Sequence, residues 1–109
     1  MQPELKLSFE RRSKARFPLR LGVQYRSLSG GPALIGVGRT VNMSSCGLLI
    51  ESEEANVRTG SKLQLNVDWP FRLHGTTPLQ LIVSCHVTRS DPEEFAVRLE
   101  QYLFRTKKR

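Results

Sequence analysis

The chain has 109 residues, of which 39% are hydrophobic and 25% charged, and a net charge of +7. That length suits one domain with one small core; it leaves no room for two folded domains or for a large buried cofactor cavity. The cationic excess points to an anionic partner, whether nucleotide, nucleic acid or membrane surface, without choosing among them.

In chain order, Met1 to Glu10 carries no apolar block of the signal-peptide kind. No later stretch approaches the roughly 20 apolar residues of a membrane span, so a cytoplasmic location is expected. Residues 1–17 read as a basic arm containing Arg11, Arg12, Lys14 and Arg16. From there to about residue 100 the sequence alternates. Apolar residues fall on odd numbers in Leu19 to Arg26, then at Ile35, Val37, Val41 and Met43, then at Leu63, Leu65, Val67 and Trp69. The pattern returns at Leu79, Leu81, Val83, Cys85 and Val87, and at Phe95, Val97 and Leu99. Period two over short runs marks half-buried strands. Gly47-Leu48-Leu49-Ile50-Glu51 is apolar on both faces, as a more buried strand would be.

Turn residues separate these runs: Ser29 to Pro32, Arg58 to Gly60, His74 to Pro78 and Ser90 to Pro92. The expectation is an all-β domain over residues 18–100, with six strands joined mostly as antiparallel neighbours. Closing them into a six-stranded β-barrel removes both exposed edges and buries the odd-numbered face. The final segment, 101–109, is expected to be a basic tail or a short helix, its start packed on the barrel through Tyr102, Leu103 and Phe104.

Two short motifs carry the chemistry. Arg12 and Arg16 form an Arg-x-x-x-Arg pair before the first strand, and Arg11 directly precedes them. About 30 residues later comes Asn42-Met43-Ser44-Ser45-Cys46-Gly47, an Asn-x-Ser-x-x-Gly turn that leads into the Leu- and Ile-rich strand. Each is common alone: the first as a solvated basic arm, the second as a strand-connecting turn. In this order and spacing the two are far more specific. An arginine fork fits the paired O6 and N7 acceptors of guanine, and it fits a phosphate equally well. Asn42 offers a donor and an acceptor, Ser44 a short hydroxyl, and Gly47 permits close backbone approach or a positive φ.

At these residues the chain resembles the PilZ domain family of cyclic di-GMP receptors. The family pattern is Arg-x-x-x-Arg in an N-terminal loop, then Asp/Asn-x-Ser-x-x-Gly entering a strand of a six-stranded barrel. Arg12 and Arg16 match the first half, and Asn42, Ser44 and Gly47 the second. The resemblance covers about Arg11 to Leu99. It departs from the family at Phe95-Ala96-Val97-Arg98-Leu99, where members often carry a glycine in a phrase ending in Phe. It implies that residues 1–17 clamp cyclic di-GMP against the barrel and that a target protein reads the ordered loop. Such targets often belong to motility, exopolysaccharide or biofilm machinery. An arginine at the place of Arg11 implies an intercalated dimer of the nucleotide, two per site.

Other residues read blandly. Cys46 and Cys85 are expected to be free thiols acting as small buried hydrophobes, His86 an outward surface residue, and Trp69 a barrel plug or rim. Cys46, His74, Cys85 and His86 lack paired metal-ligand spacing, so no metal and no cofactor are expected. Asp68 and Asp91 are isolated and no nucleophile–base order is visible, so the expectation is a binding module rather than an enzyme. Two alternatives stand beside it. One is a small basic barrel binding single-stranded nucleic acid, disfavoured by an aromatic content of 7% with Tyr25, Trp69 and Phe95 on the inward face. The other is a PilZ-like protein adaptor that binds no nucleotide.

Overall fold

The computed structural model describes residues 20–28, 34–53 and 57–107. The expected arm over 1–17 and the expected turn from Ser29 to Pro32 lie outside the described residues. The described residues form six strands: β1 (Gly22–Ser27), β2 (Ile35–Met43), β3 (Gly47–Glu51), β4 (Lys62–Leu73), β5 (Thr77–Ser90) and β6 (Glu94–Thr106). All neighbours pair antiparallel, and the sheet closes into a barrel in the order β1-β2-β3-β6-β5-β4. The expected all-β, six-stranded antiparallel barrel is what the chain forms. Strands adjacent in sequence pair from β1 to β2, β2 to β3, β4 to β5 and β5 to β6, whereas β3 and β4 do not pair with each other. Each finds its second partner elsewhere, β3 on β6 and β4 on β1.

The odd-numbered face fills the core along most strands. Val23 and Tyr25 on β1, Leu63, Leu65, Val67 and Trp69 on β4, and Leu81, Val83, Cys85 and Val87 on β5 are all buried, as are Phe95 and Val97 on β6. Tyr25 meets Phe95 edge-on at 5.1 Å between ring centroids. The Tyr25 hydroxyl donates to Ser52 Oγ at 2.8 Å, and Ser52 in turn donates to the Val37 carbonyl at 2.9 Å. Both buried hydroxyls are therefore partnered, as burial requires.

β2 departs from the expected pattern. Ile35 and Val37 point outward, 79% and 67% exposed, and the inward positions are Gly36, Gly38 and Thr40. Space explains the inversion. The Tyr25 ring and hydroxyl occupy the place where a Gly36 side chain would go. A Cβ on Gly38 would lie 2.5 Å from the Glu51 carbonyl. Thr40 pairs with Ile50 and Asn42 with Leu49, which leaves Val41 as an extra residue in a bulge. The bulge shifts the parity, so Met43 returns to the core at 2% exposure.

The expectation of a tail or short helix over 101–109 fails for the described residues of that segment. Gln101–Thr106 completes β6 and pairs with Leu79 to Ser84. Cys85 faces Leu99 and Ser84 faces Gln101, so Glu100 is a second extra residue. After it, the even-numbered Phe104 turns inward and stacks edge-on to Trp69 at 5.2 Å, while Leu103 is exposed. Here β4, β5 and β6 run past the ends of β1 and β3 as a three-stranded extension. Trp69 closes its base as a rim residue, 8% exposed.

Candidate functional site

The expected motif falls on the β2–β3 hairpin. Asn42 follows the bulge and pairs with Leu49, whose side chain shares the outer wall because Met43 and Leu48 take the inner one. Ser44 sits at the start of the turn, where its N–H donates to the Gly47 carbonyl at 2.9 Å. Ser44 is 7% exposed, and its hydroxyl accepts the Cys46 N–H at 3.4 Å. It braces the turn from within, and Asn42 also has a partner. Cys46 is exposed at the turn, against the expectation of burial, because it occupies the loop between two strands and not the inner face. Cys85 is buried as expected, and burial, followed by the nearby Glu100 charge, pushes its thiol up to about 12. It stays protonated and unreactive at neutral pH.

Gly47 opens β3 opposite Arg98 of β6. A Cβ there would lie 2.8 Å from the Val97 carbonyl oxygen, so glycine is required for β3 to approach β6. Its φ lies outside the left-handed region, which leaves close approach as the operative reason of the two considered. On the next strand the Leu99 N–H donates to the Cys46 carbonyl at 2.9 Å, tying the turn to β6.

Arg11, Arg12 and Arg16 lie outside the described residues. The chain leading from them is fixed at its exit. The Leu21 N–H donates to Thr40 Oγ1 and the Thr40 N–H to the Leu21 carbonyl, both at 2.8 Å. Arg20 pairs with Glu51 at 2.8 Å. The chain therefore enters the barrel beside β2 and β3, the two strands that carry the motif. From Arg20, four extended residues can span about 13–14 Å, which matches the length of β3 from Glu51 to Gly47.

Around the turn, the outer wall has an apolar floor with polar corners. Asn42, Leu49 and Ala96 lie in one row across three strands, and Gly47, Arg98 and His86 lie in the next. His86 faces outward as expected, with Nδ1 2.9 Å from Glu100. Sequence reasoning misses Arg98. Nothing in its spacing marks it, and only the strand register sets it beside Gly47. A depression of about 910 Å³ over the glycine half of β2 is rimmed by Glu51, Glu53 and Glu93, with Arg39 as the single cation among the described residues that line it. That charge disfavours an anionic ligand there.

The sequence profile of the PilZ domain matches residues 10–107. The chain belongs to the PilZ domain family. The match spans both motifs and all six strands, and PilZ domains are cyclic di-GMP-binding and adaptor domains. No curated protein matches the chain. Among the described residues of this PilZ domain, no group of three or more His, Cys, Asp or Glu side chains is placed to hold a metal ion, and no helix is long and apolar enough to cross a membrane.

Proposed function

We infer that this PilZ domain is a cytoplasmic cyclic di-GMP receptor and not a catalyst. Arg12 and Arg16 of the N-terminal segment clamp the dinucleotide against Asn42, Ser44 and Gly47. The observation that carries the reading is the Asn42–Gly47 turn lying on the same two strands that receive the chain at Arg20 and Leu21. Thr40 and Glu51 hold that entry within reach of the turn. The arginine forks bind guanine edges and phosphates, and Asn42 meets the Watson–Crick edge of one guanine. Ser44, which braces the turn, holds the ligand-facing backbone in place. Arg11 widens the clamp to an intercalated pair of nucleotides. Neutralising the phosphates draws the self-repelling basic segment onto the wall, and a target protein, of motility or exopolysaccharide machinery, reads the composite surface.

Isothermal titration of cyclic di-GMP into the full chain tests this. Saturable binding with two nucleotides per protein is expected. Arg16→Ala should lose about 1–3 kcal/mol, the worth of one bidentate fork. Cyclic di-AMP should compete poorly, because adenine presents a donor where guanine has O6. No saturable heat at high protein concentration would overturn the receptor reading, and one nucleotide per protein would overturn the role of Arg11.

A further inference from the structure

We propose that Arg98 of β6 is a further ligand-holding residue that grips the nucleotide from the side opposite Asn42. The inference rests on the cyclic di-GMP reading and adds a strand to the site. Three observations carry it. First, Arg98 pairs in register with Gly47, a position of the outer wall with no side chain to screen it. Second, Arg98 is exposed and, among the described residues, its guanidinium has no ion pair or hydrogen bond. Nearby Arg89 and Lys62 differ: Arg89 pairs with Asp91 and Glu94, and Lys62 with Glu100. Third, the surface between Asn42 and Arg98 is the apolar floor of Leu49 and Ala96, both half-buried and outward-facing.

These positions have the dimensions of a dinucleotide site. Asn42 and Arg98 stand two strands apart, roughly 10 Å across the sheet, and about 7 Å apart along it. A purine lying flat on Leu49 and Ala96 would then meet Asn42 at one edge and the Arg98 fork at the other. A long, unpaired guanidinium is suited to this task because it is weakly hydrated and its planar donors are already arranged for paired acceptors.

The test compares cyclic di-GMP titrations of the parent, Arg98→Ala, Arg98→Glu and Arg72→Ala. Arg72 sits at the far β4–β5 turn, where its side chain bonds the Thr76 carbonyl, so its variant removes one charge far from the site. Arg98→Ala should weaken binding roughly tenfold or more, as expected for one lost bidentate fork. Arg98→Glu should weaken it further, and Arg72→Ala should match the parent. The urea midpoints of both Arg98 variants should equal that of the parent, since the side chain is exposed and unpartnered. If the parent fails to bind, the receptor reading falls and this inference with it. If the parent binds and Arg98→Ala binds equally well, or Arg72→Ala loses as much, the inference alone is overturned.

Discussion

At Gly47 two demands meet on one residue. The fold needs a glycine there because the Val97 carbonyl stands where a Cβ would go. The proposed ligand needs an open wall beside Arg98. Backbone oxygen is a poor neighbour to displace, since moving it means parting β3 from β6, which pair from Gly47 to Glu51. Gly47→Ala should therefore cost about 1–3 kcal/mol, the usual range for overpacking a close contact. Urea unfolding reads this directly, and a midpoint equal to the parent would show that the two strands can part freely. Ser44 serves the fold in the same way. Its hydroxyl is nearly buried and bonds within the turn, so it acts on the site through the shape of the hairpin.

The strands show where alternation is trustworthy and where it misleads. β1, β4 and β5 are legible because their inward positions carry their own apolar side chains. β2 is misread because its inward positions include Gly36 and Gly38, and a neighbour's ring, that of Tyr25, fills the space beside Gly36. A sequence shows what a residue carries, not what its neighbours insert. The extra residues Val41 and Glu100 each shift the parity of a strand, and neither announces itself by a glycine or a proline. The Asn42–Gly47 motif is legible because its residues are contiguous in the chain. Arg98 is not, because nearly half the chain separates it from Gly47 and only the pairing of β3 with β6 brings them together. The end of β6 can be tested directly. Trp69 is the chain's only tryptophan, and Phe104 covers it edge-on at 5.2 Å. Phe104→Ala should cost about 1–3 kcal/mol, from the lost burial and the lost ring pair. It should also shift the tryptophan emission to the red as water reaches the indole. An unchanged spectrum and an unchanged urea midpoint would mean that the end of β6 is not docked against β4.

Across the whole molecule, the net charge of +7 does not say how the cations are distributed. Among the described residues, Arg20 is paired with Glu51, Lys62 with Glu100, Arg89 with Asp91 and Glu94, and Lys107 with Asp68. Arg26 and Arg105 bond to Gln64 and Gln80 across neighbouring strands. Most of the described cations are thus tied to partners, and the exposed rings among the described residues, Phe71 and Tyr102, lie on the extension. A compact ligand of two phosphates per nucleotide, held by a few forks, responds to salt mainly through screening, which is weak for partly buried contacts. A single strand of nucleic acid responds through the release of many counterions. Raising salt from about 50 to about 200 mM should therefore weaken cyclic di-GMP binding by less than about tenfold, whereas a protein gripping roughly 6–10 phosphates would lose about 10³–10⁵ over the same range. A loss of that size in the titration would indicate that the cationic excess acts as a polyanion surface, and the single-stranded nucleic-acid alternative would take precedence over the receptor reading.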